Sequence, residues 1–513
     1  MITKKNMMFR RNYLPAAFTG CLLTLCFPNF QFWGVAFFAM VPLLISISIL
    51  TPKQAFYSGL IAGFIHFTTL IYWIVPTLNQ YGGLHPALSV SALILLCLYL
   101  AVYPAIFTYV LRKTDMTSAA FPLLAACLWT GLEYIRTYAF TGFAWGVLGY
   151  SQHTNRVLIQ MADLTGVYGI SFIIILVNCF LAGIWLNIGT GRLKPMVLPA
   201  IYTLTLVGAV MVYGFLRTDT IDTLIEKADR ASVGIVQGNI DQAVKWDGAF
   251  KTETVKKYIR LSKTLFEKKP DLVVWPEAAL PFYYGFDKPL SDRVDELIRS
   301  ADTYFLIGSP AFDSVNGDIR YFNRAYMLHP DAAKSSFYDK RRLVPFGEYV
   351  PFGDYLNFLG KITAQAGDFS PGTQGLLPLE FSGHRTGVLI CFEILFPDVA
   401  SGFVRNQATF LTTLTNDAWF GYTSAARQHF SIAVFRAIEN RRSLIRAANT
   451  GISGFIDPVG RTIQETDLFT DAAIIRTLPG LKLNSFYTRY NDLFTWFAMV
   501  AFFLLFMLKR IKQ

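Results

Sequence analysis

Acidic side chains are nearly missing from both ends of this chain. Almost all Asp and Glu lie between residues 218 and 492, and the runs on either side are apolar. Charged residues make up 16% of the 513, well below the quarter usual in soluble domains, while hydrophobic residues reach 53% and aromatic ones 15%. With a mean hydropathy of +0.38, this excludes an ordinary soluble protein. Cysteine is scarce where it would matter most. Of six cysteines, Cys21, Cys26, Cys97, Cys127 and Cys179 fall in apolar runs, where a thiol usually serves as a small hydrophobe; Cys391 stands alone in the charged insert. A single thiol excludes a disulfide frame there. Unless it is an inert core residue, it needs a chemical reason. The first apolar run lacks a small-x-small cleavage site and reads as a retained span, not a removed leader.

What is present are runs near the length of about 20 apolar residues that crosses a bilayer. Seven precede the insert, at 13–29, 31–50, 55–75, 88–111, 118–138, 167–188 and 197–216, and an eighth spans 493–508. The expected division is therefore a membrane domain over 1–216, an insert over 217–492, and a closing span with its tail over 493–513. Basic residues fall in every second connection: Lys4, Lys5, Arg10 and Arg11, then Lys53, then Arg112 and Lys113, then Arg192 and Lys194, and finally Lys509, Arg510 and Lys512. Such residues favour the cytoplasmic side, which places both termini there and the insert outside. The net charge of +11 then reports topology and calls for no nucleic acid. Glu133 and Arg136, the clear ionisable residues within the spans, are expected to order the membrane surface or to pair with each other.

The insert has the pattern of an α/β domain. β-type runs at 231–237, 271–275, 303–309, 385–390, 409–415 and 451–456 alternate with helix-type stretches such as 251–267, 291–301 and 427–440. Glu277 and Cys391 each follow a strand, where α/β folds commonly assemble sites. A thiol that attacks a carbonyl needs a base for its proton and a donor for the developing oxyanion. "WPEAALP" supplies Glu277, "YDKRRLVPFGEYVP" supplies Lys340 and Glu348, and "CFEILFP" supplies Cys391 and Glu393. Each also has an ordinary explanation: a solvated strand-end acid, a basic run on lipid headgroups, a charge at a helix start. Together they have the residue types of a Cys-Glu-Lys acyl-transfer site.

At these residues the chain resembles the nitrilase superfamily, and with its flanking spans it resembles the apolipoprotein N-acyltransferases of the bacterial envelope. "VQGNIDQAVKW", "WPEAALP", "LVPFGEYVP", "CFEILFP", "TNDAWFG" and "RAIENRRSLIRAANTGISG" occur in the family's order. The resemblance implies a multi-span helical membrane domain joined to a nitrilase-like αββα sandwich. It implies Glu277 as base, Lys340 as oxyanion stabiliser and Cys391 as nucleophile, assisted by Glu348 and Glu393. Trp246, Asn323, Asn416 and Trp419 match positions the family places around the site, and Phe420 joins Trp419 as an aromatic shield. Phe392 stands where the family often has Tyr, which removes a hydroxyl and keeps the ring. The implied reaction passes an acyl chain from a phospholipid, through a Cys391 thioester, to the terminal amine of a diacylated apolipoprotein. No cofactor or metal is expected, a single copy suffices, and the location is the bacterial inner membrane with the insert in the periplasm. A membrane-tethered amidase or hydrolase would use the same three residues with water as acceptor. A transporter would need more ionisable groups in its spans.

The alternating basic connections make a direct prediction. A thiol reagent that cannot cross membranes should label a cysteine introduced at Gly82 and spare one at Lys53; the reverse pattern would overturn the exported insert.

Overall fold

The computed structural model describes residues 2–188, 191, 193–242, 245, 248–315, 317–351 and 369–511. It contains two compact units. One is formed by Met1–Val75, Pro86–Thr218 and Tyr490–Gln513, the other by Pro76–His85 and Asp219–Arg489.

The first unit is helical. Among the described residues, Pro86–Leu111, Leu158–Ile188 and Lys194–Lys227 are long and apolar enough to cross a membrane, and Pro52–Leu70 with Ile74–Tyr81 makes a fourth span if the 58° bend lies within one crossing. Thr51 starts Pro52–Leu70 through a capping box with Gln54. This helix packs closely on Pro86–Leu111 because small residues meet there: a Cβ on Gly59 would lie 2.4 Å from the Pro104 carbonyl oxygen. The run expected as one span at 31–50 is instead broken into a 3-10 turn, Trp33–Phe37, and a short helix, Val41–Ile47. The buried Asn178 side chain makes the break tolerable, accepting from the Met40 N–H at 2.8 Å and donating to the Ala36 carbonyl at 2.8 Å. In an apolar setting such freed backbone groups must find a partner inside the protein. Glu133 and Arg136 each tie down the segment that follows their helix. Glu133 Oε1 accepts from the Leu148 N–H at 2.7 Å, and Arg136 Nη1 donates to the Trp145 carbonyl at 2.7 Å.

The second unit is built on two six-stranded sheets. The strands are β1 (Arg230–Gln237), β2 (Leu272–Val274), β3 (Tyr304–Val315), β4 (Asp318–Leu328), β5 (Lys334–Asp339), β6 (Leu379–Phe381), β7 (His384–Ile390), β8 (Phe410–Thr415), β9 (Ser443–Ala448), β10 (Gly454–Ile456), β11 (Thr462–Glu465) and β12 (Ala472–Pro479). Their order is β12-β1-β2-β3-β4-β5 in one sheet and β11-β10-β9-β8-β7-β6 in the other. Each has a parallel centre, β1-β2-β3 and β7-β8-β9, and antiparallel edges. β2 (LVV) and β8 (FLTTLT), each central in its sheet, are buried along their whole length, as strands covered on both faces must be. Val255 and Tyr258 of helix Gly248–Lys263, and Leu290, Val294, Leu297 and Ile298 of helix Lys288–Ala301, share a core with Val273, Trp275, Phe305 and Ile307 of the first sheet and the residue after β2. Side chains stitch one sheet to the other: Ser453 Oγ donates to Gln237 Oε1 at 2.6 Å, and Ser443 Oγ to the Pro479 carbonyl at 2.7 Å.

Parallel strands β1 and β2 end close together while β3 runs on to Val315, and the chain beyond β2 turns tightly there. Gly308 makes room for that turn, since a Cβ on it would stand 2.4 Å from the Pro276 carbonyl oxygen and 2.8 Å from Glu277 Cα. Gly308→Ala should therefore lower the stability of the full chain by about 1–3 kcal/mol and reduce activity by moving Glu277. A melting temperature and activity equal to wild type would show that the turn has slack.

Candidate active site

Glu277 emerges from β2 into a strained turn. The Trp275 N–H still bonds the Leu306 carbonyl at 2.9 Å, so the sheet register holds to that point. Ala278, just beyond the acid, is left-handed at φ 46°, a conformation costly for a residue with a Cβ and concentrated at functional sites. The buried carboxylate is gripped on both oxygens. Oε1 accepts from Asn323 Nδ2 at 2.8 Å and from Lys340 Nζ at 3.3 Å, while Oε2 accepts from the Asn416 N–H at 2.9 Å.

Lys340 follows β5, and its own N–H donates to the Asn323 carbonyl at 2.9 Å. Its ammonium, 1% exposed, donates to Glu348 Oε1 at 2.9 Å as well as to Glu277. Burial works against that charge, but Glu348 and Glu277 outweigh it and hold the amine above the usual lysine range. Glu348 is itself fixed, with Oε1 accepting from Asn323 Nδ2 at 3.1 Å and Oε2 from the Val344 N–H at 2.8 Å. One amide, Asn323, thus bridges both acids that flank the lysine.

Cys391 ends β7 and opens a 3-10 turn, Cys391–Leu395. It too is left-handed, at φ 51°. Glu393 holds this elbow. Its Oε2 accepts from the Ile390 N–H at 2.8 Å, and its Oε1 accepts from Tyr338 OH at 2.8 Å, the Arg341 N–H at 2.8 Å and the Arg342 N–H at 3.2 Å. Glu393 therefore ties the thiol's turn to the backbone beside Lys340, and its bonds go to neither the amine nor Glu277. The thiol faces Glu277, Lys340 and Asp417. Burial pushes it well above the ordinary thiol range, Glu277 pushes further, and Lys340 opposes both. At neutral pH it stays protonated, so attack on a carbonyl requires removal of the proton in the same step, and the facing carboxylate is placed to take it.

The remaining expected residues divide. Asn323 lies in the centre as described. Asn416 contributes its backbone N–H to Glu277, while its side chain donates to Gln242 Oε1 at 2.7 Å and accepts from Asn449 Nδ2 at 3.0 Å. Trp419 and Phe420 sit half-buried in the turn Asp417–Phe420. The Trp419 carbonyl accepts from Thr77 Oγ1 at 2.8 Å and its ring meets Tyr81 edge-on. Phe392 is half-buried with its ring edge to Phe396. Trp246 lies outside the described residues.

Three contributors carried no expectation: Gln242, Asn449 and Lys245. Lys245 is buried and places Nζ 3.4 Å from the Glu277 carbonyl; burial lowers its pKa to about 8, and Glu277 only partly offsets this. All three fall within quoted motifs, "VQGNIDQAVKW" and "RAANTGISG". For Asn449, directly after β9, a polar residue at an apolar strand end was the available clue; Gln242 and Lys245 lie well beyond the end of β1 at Gln237 and carried none.

An acid, a buried ammonium and a thiol brought together from the ends of separate strands have the residue types of a thiol acyl-transfer site, and residues 232–481 match the family model Carbon-nitrogen hydrolase. Residues 19–180 match the Apolipoprotein N-acyltransferase N-terminal domain. Over 96% of its length the chain is 41% identical to the apolipoprotein N-acyltransferase of Geobacter metallireducens, covering 94% of that protein. It is 33% identical to that of Nitrosomonas europaea over 89% of this chain and 88% of the relative. Among solved structures, a carbon-nitrogen hydrolase from Helicobacter pylori aligns at 16% identity over 52% of this chain and 94% of its own, with a TM-score of 0.39. The chain belongs to the apolipoprotein N-acyltransferase family.

The raised thiol has a measurable consequence. Because the thiolate is the reactive form, alkylation of Cys391 by iodoacetamide should be slower at pH 7 than that of free cysteine. It should still be climbing at pH 10, where a free thiol has levelled off. A plateau below pH 8 would mean that the thiolate is already favoured at rest.

Proposed function

We propose that the protein transfers an acyl chain from a phospholipid to the terminal amine of a diacylated apolipoprotein, through a thioester on Cys391. The observation that carries this reading is the Glu277–Lys340–Glu348 cluster facing the insert's single thiol, in a chain whose other unit is built from membrane-type helices. In the first half-reaction Glu277 takes the thiol proton as Sγ attacks the ester carbonyl. The oxyanion forms beside Lys340, whose two carboxylate bonds leave one of its three ammonium protons to donate. A single such donor contributes about 3 kcal/mol to the transition state in other acyl-transfer enzymes. Collapse expels the lysophospholipid, whose oxygen takes the proton back from Glu277, and the thioester remains. In the second half-reaction the acceptor amine attacks, gives its proton to Glu277 and displaces the sulfur, which is reprotonated.

Both substrates are anchored in the bilayer, so a catalytic unit carried on membrane helices meets them at high effective concentration. The aromatic side chains of Trp419, Phe420 and Phe392 are suited to keeping water from the thioester. The alternating basic connections support cytoplasmic termini and a periplasmic catalytic unit.

Intact-mass spectra provide the test. Phospholipid alone should yield protein heavier by one acyl chain, an adduct lost in neutral hydroxylamine and absent in Cys391→Ala. Glu277→Gln should slow its appearance roughly a hundredfold. A diacylated lipopeptide should discharge it and gain a third, amide-linked chain. Discharge by water alone would instead identify a hydrolase, and an active preparation that never forms the adduct would overturn covalent catalysis by Cys391.

A further inference from the structure

Close to Cys391 lies a second buried ionic group, built from residues other than Glu277, Lys340 and Glu348. Asp417 begins the turn after β8, His429 lies in helix Ala425–Asn440, and Arg446 lies in β9. All three side chains are at most 1% exposed. Arg446 Nη2 donates to Asp417 Oδ2 at 2.7 Å, and His429 Nδ1 is 3.0 Å from Asp417 Oδ1 and 3.0 Å from Arg446 Nη2. Arg446 Nε donates to the Ile452 carbonyl at 3.1 Å, which locks the guanidinium in place. There is no slack around the carboxylate, for a Cβ on Gly451 would stand 2.2 Å from Asp417 Oδ2.

Two routes lead from this group to Cys391. Thr415 stands one residue beyond the Leu414 that pairs with Ile390, and its hydroxyl donates to Asp417 Oδ1 at 2.9 Å, which ties the cluster to the strand end that leads into Cys391. The His429 ring lies against the Cys391 backbone carbonyl. Three charges face the sulfur: Glu277 from the end of β2, Lys340 from the end of β5 and Asp417 from the end of β8.

We propose that Asp417, His429 and Arg446 form a positioning cluster that braces the left-handed turn of Cys391 and balances the charge at its sulfur. This deepens the acyl-transfer reading and rests on Cys391 being the reactive group. Burial raises the Asp417 carboxyl, but Arg446 and His429 pull harder and bring it to about 2, so it is charged throughout the working range. Burial and Arg446 keep His429 below its ordinary range, and the ring is neutral at pH 7. The cluster therefore presents a carboxylate to the sulfur, offset by the guanidinium immediately beyond it. Without Arg446 the unbalanced carboxylate disfavours the thiolate. Without the Asp417 charge the guanidinium favours it.

The two halves of the pair thus shift thiol reactivity in opposite directions, which a packing defect would not do. The experiment is the rate of Cys391 alkylation by iodoacetamide in the purified full chain, across pH 7–10, with neither lipid nor acceptor present. Asp417→Asn should react about threefold faster or more at a given pH, equivalent to a shift of about half a pH unit. Arg446→Gln should react at least about threefold slower, and Asp417→Asn with Arg446→Gln should return to within about twofold of wild type. If Arg446→Gln fails to fold, the other two variants decide. An Asp417→Asn rate at or below wild type, or a double variant as slow as the slower single, would overturn the proposal. Because no acyl donor is involved, these outcomes stand apart from success or failure of the thioester test.

Discussion

The site depends on one buried charge. An ammonium inside a protein costs several kcal/mol in lost hydration, and Lys340 is tolerated because Glu277 and Glu348 both reach it. Their geometry in turn relies on Asn323, whose amide bridges the two acids and whose carbonyl receives the Lys340 N–H. Glu277, Glu348 and Lys340 therefore form one hydrogen-bonded unit. The carboxylates hold the lysine above its usual range against burial, while burial, with Glu277 adding to it and Lys340 opposing, holds the thiol above its own. A thiol held in that protonated form resists chance oxidation better than a free thiolate would.

Around that unit the backbone is held in conformations it would not adopt alone. Cys391 and Ala278 are left-handed, and so is Phe346, between Lys340 and Glu348. Each costs on the order of 1–3 kcal/mol and persists only where the surroundings over-determine it. Glu393 supplies much of that constraint, collecting donors from Ile390, Tyr338, Arg341 and Arg342. The sequence reading named it among the residues that assist the site. Its bonds make it the brace between the cysteine turn and the lysine loop.

The catalytic unit also recruits chain from outside the insert. Pro76–His85, with its π-helical turn Thr77–Tyr81, groups with Asp219–Arg489. Thr77 and Tyr81 both engage Trp419, two residues beyond Asp417. Trp419 is thus held through both its backbone and its ring by the one turn Thr77–Tyr81.

The sequence alone was enough to separate an acid-rich α/β insert from apolar flanks, and to nominate Glu277, Lys340, Glu348 and Cys391. Strand periodicity and unusual residues at strand ends are local signals. β1, β2, β7 and β8 were legible for this reason, being short apolar runs. Other features depended on partners distant in the chain. β9 escaped notice because "SLIRAA" puts an arginine in a buried strand, which makes sense only with Asp417 opposite it. The break within 31–50 is invisible locally because Asn178, more than 130 residues away, satisfies the freed backbone. The side-chain role of Asn416 and the bracing role of Glu393 were likewise fixed by which donors the folded chain brought near them. Local composition settles which segments are apolar, extended or reactive. Burial decides what each charge must be paired with, and only the tertiary structure supplies the partner.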